Sequence, residues 1–88
     1  MITKDNNRFI YQENNEILGE ISFTPIENQI IRAEHTYVHP EVRGKGIAGQ
    51  LLDALADYAR ENQLKIQPIC SYAVSAFKKS DKYQDVSI

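Results

Sequence analysis

Three of the four glycines and two cations fall within Arg43-Gly44-Lys45-Gly46-Ile47-Ala48-Gly49. The run lies where strand-like sequence gives way to a helical pattern. A chain that passes through a basic glycine turn into a helix leaves several backbone N–H groups without partners, and the positive end of the helix dipole adds to them. That combination suits an anion, most often a phosphate. A Cβ at Gly44 or Gly46 would hold the backbone away from such a group. Arg43 and Lys45 bring Coulomb attraction to the same place. Chemistry of another kind is available to Cys70, the one cysteine, as a nucleophile, and to His35 as a general base. Plainer roles compete with each. The glycine run can be an ordinary tight turn, Cys70 a small buried core residue, and His35 a core-side ring beside Ala33 and Tyr37.

The commoner phosphate motifs do not fit. Gly-x4-Gly-Lys-Ser/Thr cannot be placed on the sequence. Gly44, Gly46 and Gly49 have the Gly-x-Gly-x-x-Gly spacing, but they follow strands joined by short turns, and no acidic residue ends a second βα unit. Composition narrows the field further. A net charge of −2 argues against a general nucleic-acid binder. One cysteine allows no intramolecular disulfide, and no Cys/His cluster has metal-binding spacing. The start, Met1 to Asn7, lacks the apolar core of a signal peptide, and no apolar run is long enough to cross a bilayer. A reducing cytoplasm is the expected compartment.

The elements that must position these residues read as follows. Residues 1–7 are a frayed polar lead-in. Arg8 to Glu13 is a first strand, and Asn14-Asn15 a turn. Ile17 to Ile26 is a second strand, with Ile17, Ile21 and Phe23 on one face, Glu20, Ser22 and Thr24 on the other, and a bulge suggested by Gly19. Gln29 to Val38 is the third strand. Strict alternation puts Ile31, Ala33, His35 and Tyr37 on one face and Arg32, Glu34 and Thr36 on the other. Turns this short make the three an antiparallel meander. The helix runs from about Gly46 to Asn62, its apolar stripe built on Ile47, Leu51, Leu52, Leu55 and Ala59. Leu64 to Ile69 is a fourth strand, parallel to the third by a right-handed crossover, with Pro68 favouring an edge or splayed position. Ser71 caps a short second helix over Tyr72 to Lys79. Asp81 to Ile88 is a loop or a short strand at Asp85-Val86. The 88 residues thus predict one small α/β domain, a mixed sheet with helices packed on it.

Arg43, Gly46 and Ala48 also fit the pattern Arg/Gln-x-x-Gly-x-Gly/Ala, with Leu51-Leu52 on the helix that follows. This resembles the acetyl-CoA-binding motif of the GNAT acyltransferase superfamily. His35-Thr36-Tyr37-Val38, Pro40-Glu41-Val42-Arg43-Gly44, Tyr58-Ala59-Arg60-Glu61-Asn62 and Pro68-Ile69-Cys70 carry the resemblance over residues 8–86, to a compact GNAT-like branch of N-acetyltransferase-domain-containing proteins. Ser80-Asp81-Lys82 departs from that pattern. The resemblance implies a GNAT-like fold and acetyl-CoA as cosubstrate. It implies that the N–H groups of Arg43, Gly44, Lys45, Gly46, Ile47 and Ala48, with Gly49 beyond, cradle the CoA pyrophosphate. Tyr37, Val38 and His39 would pair with the pantetheine arm. It also implies Glu34 as a base acting through water, against its plainer role as a solvated strand-face carboxylate. Cys70 would lie near the thioester, where its thiolate could accept the acetyl group. The expected activity is N-acetyl transfer to an amine, peptide or protein acceptor, with no metal. The alternative is a CoA-binding sensor or complex subunit without catalysis, because the chain lacks the N-terminal helices that wall the acceptor pocket in larger relatives. Either a monomer or a homodimer would serve, a second copy supplying missing walls.

Overall fold

A computed structural model describes all 88 residues. Five strands form one sheet in the order β1-β2-β3-β4-β5. They are β1 (Ile2–Asp5), β2 (Arg8–Glu13), β3 (Glu16–Ile26), β4 (Ile30–Val38) and β5 (Lys65–Pro68). The first four make an antiparallel meander, and β5 pairs parallel with β4. Helix α1 (Ile47–Glu61) makes the crossover, and α2 (Ser71–Lys79) follows β5. This is the mixed sheet expected, with one strand more. The polar lead-in is that strand: Asn6 turns at φ +54° and Ile2–Asp5 pairs with β2. Asparagine tolerates the left-handed region, so Asn6-Asn7 closes a hairpin as Asn14-Asn15 does.

Both helices cover the same face of the sheet. Leu51, Leu52, Leu55 and Ala59 of α1 are fully buried against Ile21, Ile31, Ala33 and Ile66, and Ala73 of α2 joins this cluster. Each large aliphatic side chain so buried contributes about 1.5–3 kcal/mol. Asn62 closes α1 as expected, with its amide on the Tyr58 carbonyl at 2.8 Å and Gln63 turning at φ +58°. Phe9, Phe23 and Tyr58 pack ring against ring below the same helix. Ile10, next to Phe9 on β2, points the other way and lies outside the cluster. That second face carries no helix.

Two bulges overturn the expected strand faces. In β3, Tyr11 pairs with Gly19 but Gln12 with Ile17, so Leu18 is the extra residue. Leu18 is therefore in the core and Ile17 is 44% exposed, the reverse of the expected placing. In β4, Ser22 pairs with His35 but Phe23 with Ala33, which leaves Glu34 as the extra residue. Ile31 and Ala33 face the core as read. Beyond the bulge the parity flips: Thr36 and Val38 turn toward the helices, and His35 and Tyr37 turn out to the bare face. A core-side His35 is thus corrected. A bulge is set by the pairing of two strands, and alternation along one strand cannot register it.

The tail is neither loop nor strand. Asp81–Val86 forms a 3-10 helix against α1, burying Tyr83 and Val86. Ser87 then makes a single bridge beside Ile66. Arg60 anchors it with a two-pronged pair to Asp85 (2.6 and 3.0 Å) and a bond to the Lys82 carbonyl (2.7 Å). No helix of the chain is long and apolar enough to cross a membrane.

Candidate functional site

The bulge at Glu34 opens the sheet. The β4–β5 ladder ends at Ala33 and Pro68, and the Ala33 carbonyl accepts the N–H groups of both Ile69 (2.9 Å) and Cys70 (3.1 Å). Pro68 lacks a donor at this point, in keeping with the splayed position read for it. From Glu34 to Val38 the free edge of β4 has no strand beside it. The His39 N–H donates to the Leu18 carbonyl at 2.7 Å. Alternation in an antiparallel ladder then points the backbone of Tyr37 and His35 at β3 and turns that of Val38 and Thr36 into the notch. Of Tyr37, Val38 and His39, only Val38 offers its N–H to the open edge. The Val38 carbonyl is already engaged, accepting from Arg43 Nε at 2.9 Å.

The notch runs into the glycine loop. His39 Nδ1 accepts the Glu41 N–H (3.1 Å) and so caps a 3-10 turn at Pro40–Val42. The Arg43 N–H closes this turn onto the Pro40 carbonyl, so it is not among the free donors expected of it. Gly44 and Gly46 then take φ +82° and +77°, and Gly46 is the N-cap of α1. The first bond of the helix is Gln50 N–H to the Gly46 carbonyl. Ile47, Ala48 and Gly49 therefore have N–H groups without intrahelical partners. Ile47 buries its side chain while its backbone stays at the rim. Arg43 and Lys45 are exposed, and neither has a carboxylate within ion-pair distance. Unpaired cations, unpaired N–H groups and the dipole of a 15-residue helix converge on one spot.

A cleft of about 250 Å³ joins these parts, lined by Val38, Val42, Arg43, Gly44, Gly46, Ile47, Ala48, Gly49 and Tyr72. Tyr72 was not foreseen. It sits in the first turn of α2, its hydroxyl 3.6 Å from where a Cβ on Gly49 would lie. Nothing in the sequence marks that helix–helix contact. Burial first, then the Asp53 charge, push the Tyr72 phenol up, so it keeps its proton at neutral pH. Asp53 is one turn beyond Gly49 and accepts from Tyr83 (2.6 Å) and Lys82 (3.0 Å).

The three residues read as catalytic do not meet. Cys70 is half-buried at the N-cap of α2, the place read for Ser71, and its Sγ lies 3.3 Å from Thr36 Oγ1. Neither Cys70 nor Thr36 lines the cleft. His35 is exposed on the bare face. Glu34, also exposed, accepts the Thr24 hydroxyl at 2.5 Å and lies 4.0 Å from Arg32. Thr36, not His35, takes the inward face beside Cys70, because the bulge exchanges their faces.

A sequence model described as GCN5-related N-acetyl-transferase matches residues 8–86. Among solved structures, a GCN5-like protein of Staphylococcus aureus is 38% identical, with TM-score 0.83, over 100% of this chain and 87% of its own. A ribosomal-protein-alanine N-acetyltransferase of Brucella melitensis is 27% identical (TM-score 0.63) over 75% of this chain and 55% of its own. A predicted acetyltransferase of Clostridium acetobutylicum, crystallised with acetyl-CoA, is 26% identical (TM-score 0.62) over 85% and 58%. The chain thus spans little more than half the length of these two larger proteins. No protein with a curated description matches the sequence.

Proposed function

Since the chain belongs to the GCN5-related N-acetyltransferase family, we propose that it binds acetyl-CoA in the cleft at the N-terminus of α1 and passes the acetyl group to an amine. The 88 residues serve as one acetyl-CoA-binding domain. The observation that carries this reading is the continuity of a bare strand edge with a cationic, N–H-lined helix start. The residues fit such a ligand. The N–H groups of Ile47, Ala48 and Gly49 with Lys45 and Arg43 suit a pyrophosphate, and the open edge at Val38 suits the end of an arm that carries a thioester. Acetyl-CoA supplies an acyl carbon activated as a thioester, which an amine attacks to give an amide and the free thiol.

The chain's own groups take the remaining roles. The Val38 N–H, free at the notch, holds the developing oxyanion. Tyr72, protonated and at the cleft wall, gives its proton to the departing sulfur. Glu34 and His35 on the bare face take the proton of the incoming ammonium, through water where they do not touch it. Direct attack is favoured over an acetyl-Cys70 intermediate, because that thiol is in contact with Thr36 and does not line the cleft. The bare face also favours a second reading, a module that binds CoA without transfer, since no wall stands there to orient an acceptor.

Calorimetric titration with CoA, followed by thiol release from acetyl-CoA across amine and peptide acceptors, tests the proposal. Micromolar CoA binding with acceptor-dependent thiol release is expected. Binding without release for any acceptor would leave the non-catalytic module, and no heat with CoA would sink both readings. Intact mass after incubation with acetyl-CoA separates the routes: an added acetyl group on Cys70 would overturn direct attack.

A further inference from the structure

We propose that Thr36 and Cys70 form the back wall of the acyl site and restrict the thioester to short acyl groups, acetyl first. This rests on the cofactor reading above. The notch is a wedge. Its mouth is the glycine loop, and its apex is the Ala33 carbonyl, which gathers the N–H groups of Ile69 and Cys70. An arm that is anchored by phosphates at the loop and paired along the β4 edge must point its far end at that apex. Within the wedge the two sides are bridged by one side-chain contact, Thr36 Oγ1 to Cys70 Sγ at 3.3 Å, between residues 34 apart in sequence. Two atoms so close leave no room for a methylene between them.

Along β4 this contact lies between the cleft at Val38 and the apex at Ala33. The cleft is lined by Val38 but by neither Thr36 nor Cys70. Val38 and Thr36 are two residues apart on one strand, about 7 Å along it. Both side chains face the helices, as the bulge requires. A two-carbon acyl group at the Val38 N–H fits in front of the wall. A longer chain runs into the Thr36 methyl and the Cys70 sulfur. Neither can step aside easily: Thr36 is branched at Cβ and fixed in a strand, and Cys70 is tied by its backbone to both Ala33 and Val74. Ile21, paired with Thr36 on β3 and fully buried, closes the floor.

The test compares chain lengths against free CoA, which has no acyl group and serves as the reference in every variant. Affinities of CoA, acetyl-CoA, propionyl-CoA and butyryl-CoA are measured by calorimetry for the wild type, Thr36→Ala and Cys70→Ala. In the wild type, butyryl-CoA should bind at least about tenfold more weakly than acetyl-CoA, the scale on which a filled pocket rejects added methylenes. Either truncation should recover most of that loss and move the preferred length up by one or two carbons. The two variants cut opposite sides of the wall, so a fold defect in one leaves the other to report. A wild type that binds butyryl-CoA as tightly as acetyl-CoA overturns the wall, as does an unchanged butyryl-to-acetyl ratio in both variants. No binding of free CoA overturns the cofactor reading itself, a result distinct from either.

Discussion

At Gly46 two demands coincide, one from the backbone and one from the ligand proposed for it. The left-handed φ of +77° costs most residues other than glycine and asparagine about 1–2 kcal/mol. Beyond its two chain neighbours no protein atom lies within 4 Å of where a Cβ would sit, so the space in front of the residue is open to a ligand. The two demands separate by experiment. Gly46→Ala and Gly46→Glu should lose similar stability, about 1–2 kcal/mol by urea titration. Their effects on CoA should differ: Ala weakens binding several-fold, while Glu adds bulk and a negative charge and abolishes it. Equal affinity of the two variants for CoA would take the loop out of the site. The loop itself was legible in the sequence because glycine spacing and charge are local properties. That Arg43 spends its N–H on Pro40 and its Nε on Val38 was not, since both partners are products of the turn.

At the level of elements, the bulge in β4 is the device that makes the proposed site. One extra residue, Glu34, ends the ladder to β5, opens the wedge and turns Thr36 inward. Deleting Glu34 should restore plain alternation without turning any later side chain over, with Thr36 still facing in and His35 still out. Thermal unfolding should stay cooperative, while the straightened edge closes against β5. Loss of the backbone bond at the Val38 N–H, about 0.5–1.5 kcal/mol, sets the expected loss of acetyl-CoA affinity at about two- to tenfold. Unimpaired binding by the deletion variant, measured by the same titration, would mean that the splayed edge is not used. Helix α1 was legible because its apolar stripe repeats over 15 residues. The first strand was not, since Ile2–Asp5 holds little apolar pattern and becomes a strand only by pairing with β2.

For the molecule as a whole, the tail closes the helical layer, and Arg60 decides whether it stays. The hydrogen bond from Arg60 holds the Asp85 carboxyl below the usual carboxylate range. A folded-state value lowered in this way stabilises the protein above the ordinary carboxylate value near 4, and that contribution is lost as pH falls through and below it. Asp85→Asn should therefore be less stable than wild type at pH 7, with the gap narrowing from about pH 4 downward. Urea midpoints at pH 7, 5, 4 and 3 measure it, and parallel curves for the two proteins would show that the pair does not hold the tail. The amino-acid sequence by itself determined the class of fold, the glycine loop, the main helix and the family, because periodicity, turn residues and motif spacing are written within short stretches. Tertiary structure decided which residues share a face and which meet. Strand register moves side chains between faces, and it depends on partners far away in the chain. Thr36 reaches Cys70, Tyr72 reaches Gly49 and Arg60 reaches Asp85 only because a bulge, a helix contact and a docked tail bring them together.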